Sequence, residues 1–135
     1  MASEIRKFEQ LIAWQKAMRL VTEIYRASGA FPKHELFGLT SQLRRAAVSV
    51  PSNIAEGQCR SGSREFLQFL RIAQGSLGEV ETQLMIASEL NYFADEQAGQ
   101  LLARAAEVGR LVRGLASAIE RRIANRAQGT KGTSH

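Results

Sequence analysis

Apolar residues recur every three or four positions along four stretches of the chain, the spacing of one face of an α-helix. In the first stretch, residues 8–27, the stripe reads Leu11, Trp14, Met18, Val21 and Tyr25, and Ser28-Gly29 ends it, as glycine after a helix commonly does. The second, residues 33–56, follows Pro32, which sits where a missing N–H costs nothing; its stripe is Leu36, Leu39, Leu43, Ala46/Ala47, Val50 and Ile54. Gly57 and Gly62 bracket a turn. The third, residues 64–90, has Ser63 as N-cap and Glu65 in its first turn, with Phe66, Leu70, Ala73, Leu77, Val80, Leu84 and Ala87 in step. Asn91 to Ala94 form the next turn, and Asp95 caps the fourth, residues 96–123. Its stripe is Ala98, Leu101, Ala105, Val108, Val112, Leu115 and Ile119, with Leu111 at the edge. No stretch alternates with the period of a strand. Four amphipathic helices and short turns predict an all-α fold, an antiparallel up-down-up-down four-helix bundle. Residues 1–123 make the bundle domain, and residues 124–135, poor in apolar side chains, are expected to be a disordered tail.

The second stretch carries a further order. Gln42, Arg45, Ser49, Asn53 and Glu56 recur at the same spacing, displaced around the helix from the apolar stripe. A solvated face needs only to be polar, whereas an ordered polar seam points to side chains bonded to something packed beside them. Pro51 interrupts this helix, deleting the bond to the Ala47 carbonyl. Asn53 and Glu56 have the spacing of a capping box, which favours a fresh start; the stripe keeps its phase through Val50 and Ile54, which favours a kink near Pro51, and the kinked helix is expected.

The third stretch holds more apolar surface than one stripe requires. Phe69, Ile72, Ile86 and Leu90 fall on a second face, interrupted by Ser76, Glu79 and Gln83. Bundle helices often bury a wide stripe; apolar anchors with polar groups between them are equally the make-up of a subunit interface. The residues leave both readings open.

Composition narrows the partners. A chain of 135 residues is long enough for one domain with a core. Net charge +5 favours polyanions. Arg44, Arg60 and Arg64 lie in or near the second turn, with Arg45 and Arg71, and Arg110, Arg113 and Arg121 share the outward face of the fourth helix. Guanidinium groups gathered on one surface suit phosphate, although for a lone bundle a solvated helix face with a solubilising tail is the better reading. The single cysteine, Cys59, forms no internal disulfide, which suits a reducing cytoplasm. No leader pattern opens the chain and no run approaches the roughly 20 apolar residues of a membrane span, so no membrane partner is expected. Cys59 and His34 lack ligand spacing, so no metal or cofactor is expected. Ser49 has no histidine or lysine base at helical spacing, so the polar seam reads as structural and no catalytic residue is expected.

The order Phe31-Pro32, Glu35, Gly38-Leu39-Thr40, Gln42, Arg44-Arg45-Ala46, Ser49, Pro51 and Asn53-Ile54-Ala55-Glu56-Gly57 resembles the signature of small bacterial four-helix bundle proteins encoded in intervening sequences of 23S rRNA genes. Ser63 to Phe66 and Ala73 to Leu84 continue it; His34 departs from the acidic residue expected there. The accessory variability proteins of diversity-generating retroelements are similar to that family. The resemblance implies ring-like homopentamers around a central channel and no established activity, and it turns the second face of the third helix (Phe69, Ile72, Ser76, Glu79, Gln83) into an expected oligomer interface. The chain is therefore expected to be a non-enzymatic oligomeric scaffold. RNA or DNA, or a nucleic-acid enzyme, would be the partner of its basic surface. The alternative is a protein-interaction module whose charge only keeps it soluble.

Overall fold

The structure, a computed structural model, describes the backbone of residues 7–132 and the side chains of residues 7–129. Residues 1–6 and 133–135, the outer ends of the expected domain and tail, lie outside the described residues. A short 3-10 turn, Lys7–Gln10, precedes α1 (Ile12–Ser28), α2 (Leu39–Cys59), α3 (Ser63–Glu89) and α4 (Asp95–Gly132); a second 3-10 turn, Lys33–Glu35, lies between α1 and α2. There is no strand among the described residues. α1 packs on α2, α2 on α3, α3 on α4 and α4 on α1, with no backbone approach across either diagonal. Residues 60–62 and 90–94 are the only links between α2 and α3 and between α3 and α4. Links this short return the chain alongside the helix just left, so α3 runs antiparallel to α2 and α4 to α3. The centre is filled by Leu20 and Ile24 of α1, Leu43, Val50 and Ile54 of α2, Leu70, Val80 and Leu84 of α3, and Val108, Val112 and Ile119 of α4. Each such side chain stabilises the fold by about 1.5–3 kcal/mol.

Several elements differ from the sequence pattern. The buried stripe of α1 is Ala13, Ala17, Leu20, Ile24 and Ala27. Leu11, Trp14 and Val21 only flank it, and Met18 and Tyr25 are exposed. Two stripes overlap on this helix, one bulky and one rich in alanine. Small residues let helix axes approach, so the alanine stripe faces inward, a choice spacing alone does not make. In α4 Ala116 is buried where Leu115 was expected, and Leu115 packs at the edge.

α2 begins at Leu39 rather than residue 33, leaving Leu36 exposed. Its first turn is capped from outside the helix: the Leu39 N–H donates to Glu35 Oε1 at 3.3 Å. Gly38 makes room for that carboxylate, since a Cβ there would lie 2.8 Å from Glu35 Oε1. α2 is unbroken through Pro51, so no new helix starts at Asn53. The missing N–H leaves the Ala47 carbonyl without its helical donor, the condition under which helices bend. Gly57 does not end α2, which runs to Cys59. A Cβ at Gly57 would lie 2.8 Å from both Phe66 Cδ1 and Phe69 Cβ, so this glycine is what lets α3 close on α2.

Ser63 is the first residue of α3 and makes no capping bond; Gly62 occupies the cap. α3 ends in a Schellman motif, with Asn91 at φ 59°, its N–H on the Ser88 carbonyl and the Tyr92 N–H on the Ala87 carbonyl. α4 continues past Ile123 to Gly132, where a disordered tail from Ala124 was expected. Alanine, arginine and glutamine in residues 124–128 favour a helix even where little remains to pack against.

Candidate functional site

The polar seam of α2 and the second face of α3, separate features in the sequence, line one groove. Gln42, Arg45, Ala46 and Ser49 form one wall, and Ser76, Glu79 and Gln83 the other, around an open volume of about 390 Å³. Within the groove Ser49 Oγ lies 2.8 Å from Ser76 Oγ, and one turn along α2 Asn53 Nδ2 donates to the Ser49 carbonyl at 2.8 Å and to Ser49 Oγ at 2.9 Å. Two hydroxyls share one O–H···O bond here, so one hydroxyl hydrogen is left to donate elsewhere. The remaining seam residues bond locally. Arg45 Nη2 donates to Ser41 Oγ at 3.1 Å, and Glu56 pairs with Arg60 one turn later at 2.8 Å. Gln42 and Glu79 are exposed on the rim.

Gln83 breaks the pattern. Its Oε1 is buried without a hydrogen-bond partner. Exchanging the amide's O and N would leave a buried NH₂ unpaired instead, and either costs about 1–3 kcal/mol. Glu79 makes no ion pair among the described residues. The groove thus presents a carboxylate, a guanidinium and a spare hydroxyl donor, beside an acceptor that is buried within the chain. It can bind by hydrogen bonds and ion pairs; its lining has one carboxylate, with no second acid and no histidine beside it. Phe69 is half-buried at one end and Ile72 exposed beside it, while Ile86 and Leu90 are exposed at the other.

The arginines separate into three groups. Arg44 is committed to the fold: Nε donates to Ser28 Oγ at 2.8 Å, Nη2 to the Tyr25 carbonyl at 3.2 Å, and its guanidinium stacks 4.7 Å from the Tyr25 ring. It satisfies the C-terminal end of α1, where a cation also opposes the helix dipole. Arg60 pairs with Glu56 and lies 5.2 Å from the Phe69 ring centre. Arg64 lines a depression with Ser63, Glu65, Ile123, Arg126 and Ala127, so the second turn and the far end of α4 share one end of the bundle. Arg110, Arg113 and Arg121 are exposed along α4 and make no hydrogen bond or ion pair among the described residues. Arg104, by contrast, pairs with Glu23 at 2.6 Å.

One surface is absent from the sequence reading. Between α1 and α2, Trp14, Met18, Val21, Val48, Pro51 and Ala55 line an apolar groove of about 330 Å³. At Val48 it meets a second depression bounded by Tyr25, Leu36, Phe37 and Arg44. Phe37 is 93% exposed. Assigning Trp14, Met18 and Tyr25 to the core hid this face; the available signal was Phe37, Val48 and Ala55, apolar residues lying off the buried stripe of α2.

Residues 9–114 match the family model for the 23S rRNA-intervening sequence protein. The chain belongs to that family. No curated protein matches it. Among solved structures, a protein of unknown function from the S23 ribosomal protein family of Bacteroides thetaiotaomicron is similar, with a TM-score of 0.71 at 20% identity. The match covers 78% of this chain and 98% of that one, and at this identity it speaks for the fold. Among the described residues no helix is long and apolar enough to cross a membrane, and no three His, Cys, Asp or Glu gather where a metal ion could be held.

Proposed function

We propose that this 23S rRNA-intervening sequence protein is a non-enzymatic scaffold of the cytoplasm that assembles with copies of itself and binds nucleic acid through its basic surface. The observation that carries the second half is the row of three exposed arginines on α4 without partners, Arg110, Arg113 and Arg121. The end of the bundle that gathers Arg64 and Arg126 extends it. Such contacts go to phosphate and do not read sequence. The ring of five that the resemblance implies would repeat these arginines around an axis and enlarge their field. A nucleic-acid enzyme, the kind of partner that similarity to retroelement accessory proteins implies, would meet the same scaffold.

Binding of unrelated duplexes and single strands is expected to weaken steeply with salt, with a log–log slope of about 0.9 per phosphate contact on duplex DNA. Replacing Arg110, Arg113 and Arg121 together with glutamine should flatten that slope and leave the circular-dichroism melt in place. Absence of binding at low salt by the assembled protein would leave the second reading, a protein-interaction module. The exposed apolar face between α1 and α2 favours that alternative.

A further inference from the structure

Large apolar side chains are left exposed in two places. Among the described residues each of them lies either between Ile12 and Val48, on α1 and around the start of α2, or between Ile72 and Leu90 on the outside of α3; α4 has none. The exposed positions of α3 form a seam, Ile72, Gly75, Glu79, Thr82, Ile86 and Leu90, in steps of three and four, the repeat with which one helix packs along another. Gly75 is the odd member. A Cβ there would meet nothing within 4 Å, so nothing inside one copy calls for a residue that weakens a helix. A ridge pressed against the seam from outside does.

Charge divides the same two places. Between Arg71 and Arg104 the chain has five acids, Glu79, Glu81, Glu89, Asp95 and Glu96, and no lysine or arginine. Between Arg19 and Arg45 it has Arg26, Lys33 and Arg44 as well. The acids of that stretch are engaged inside the chain, Glu23 with Arg104 and Glu35 with Tyr92 and the Leu39 N–H. Glu79, Glu81 and Glu89 make no ion pair among the described residues, and neither do Arg19, Arg26 and Arg45. Arg44 bonds to Ser28 at the end of α1, and Tyr92, just after α3, bonds to Glu35, just before α2. The basic stretch and the acidic one therefore share one end of the bundle.

We propose that the outer seam of α3 packs on the α1–α2 face of a second copy standing the same way up, acidic end against basic end. The proposal rests on the self-assembly argued above and goes beyond it by naming the two faces that meet. The Ser49–Ser76 bond sets a common height for α2 and α3. Glu79 lies three residues along α3 from it and Arg45 four along α2, so at 1.5 Å per residue both stand about 5 Å from it towards the same end. The guanidinium of one copy is thus level with the carboxylate of the next. By the same measure Val48 is level with Gly75, and Ile72 with Ser52 in the apolar groove. Ile86 and Leu90 reach the depression bounded by Tyr25 and Leu36. Two different faces meet, so the contact is head-to-tail and closes into a ring when the rotation allows. Neither face includes α4, whose arginines stay open.

Each face is tested through the other. In a Cys59→Ser background, because Cys59 is exposed, chains with Val48→Cys and chains with Gly75→Cys should link with a short bismaleimide only when co-expressed; neither should link to itself. Gly75→Leu should melt no lower than wild type by circular dichroism, since the room is open within the chain, yet run below the native mass of the wild type. Ser117→Leu, on the exposed face of α4, should assemble as wild type does. An associated mixture that stays unlinked, a single variant that links to itself, or a folded Gly75→Leu protein of wild-type native mass overturns this contact and leaves self-assembly standing. Wild-type protein at the 14.9 kDa mass of one chain overturns both.

Discussion

On the side of α2 towards α1, the outward groove is lined by Trp14, Met18, Val21, Val48 and Pro51, almost wholly apolar side chains. On the side towards α3, it is lined by Gln42, Arg45, Ser49, Ser76, Glu79 and Gln83, and a hydroxyl pair bridges the helices. Both flank the same buried stripe, Leu43, Val50 and Ile54. The apolar groove gains from any apolar cover and so discriminates little between partners. The polar groove offers directional groups, the Glu79 carboxylate and the Arg45 guanidinium among them, and favours a partner that supplies their complements. One helix thus carries a permissive surface and a selective one, on either side of its core stripe.

The largest effect that separates the two sides comes from added bulk. Gly57→Val places side-chain carbons where a Cβ alone already comes within 2.8 Å of Phe66 and Phe69. Phe66 can turn its ring, but Phe69 Cβ moves only with α3. The variant should lose about 1–3 kcal/mol from overpacking, read as a fall in the urea midpoint. Ala55→Val, two residues away in the open apolar groove, should be within about 0.5 kcal/mol of wild type, as substitutions at sites with room usually are. Equal losses from both would mean that α2 is packed alike on its two sides.

Smaller is the contrast between a polar deletion on one side and an apolar deletion on the other. Ser76 is buried and holds Ser49 Oγ at 2.8 Å. Ser76→Ala should lower stability by about 0.5–1.5 kcal/mol, the net worth of one such bond. Phe37→Ser, at a side chain touching little but solvent, should leave the melt unchanged within about 0.5 kcal/mol. A large loss at Phe37 in dilute solution would show that this ring is covered in the working assembly.

How far the sequence carried can be judged at these same places. The core stripe of α3 was legible from Leu70 to Ala87, because its second apolar face is interrupted by Ser76, Glu79 and Gln83; at its start Leu67 is buried where the spacing points to Phe66. In α1 two stripes compete, and periodicity marks both. Small residues fit inside a close helix crossing, and that fit belongs to the packed pair rather than to the chain. The polar seam of α2 was legible as order, but its division into two local pairs and one cluster that reaches α3 was not, since it depends on which rotamers reach. Arg44 looked like its neighbours in sequence; its commitment to Ser28 and Tyr25 follows from where α1 ends beside it. Gly57 read as a stop because glycine ends helices more often than it sits inside them; here the approach of Phe66 and Phe69 decides.

The smallest expected effect concerns the end of the bundle where Phe37 projects. Glu35 Oε2 accepts the Tyr92 hydroxyl at 2.7 Å, and Glu35 Oε1 accepts the Leu39 N–H, so one carboxylate caps α2 and ties its start to the turn between α3 and α4. These bonds hold the Glu35 carboxyl below its ordinary value, the Tyr92 hydroxyl first and the Leu39 N–H second, and the same bond pushes the Tyr92 hydroxyl up. The signs follow from linkage. A lowered carboxyl stabilises the fold above the carboxylate's unfolded value, and that contribution is lost as pH falls through its folded value. A raised phenol stabilises below the tyrosine's unfolded value, and that contribution is lost as pH climbs through its folded value. One hydrogen bond therefore steepens both limbs of the stability profile, the acidic and the alkaline. Tyr92→Phe should flatten the alkaline limb and soften the acidic one, because the Leu39 N–H still holds Glu35; Glu35→Gln should flatten both. Urea midpoints across the acidic and alkaline ranges read this directly. If Tyr92→Phe leaves the acidic limb as steep as in wild type, the Leu39 N–H alone sets Glu35, and the start of α2 is fixed within its own turn rather than by the far end of the bundle.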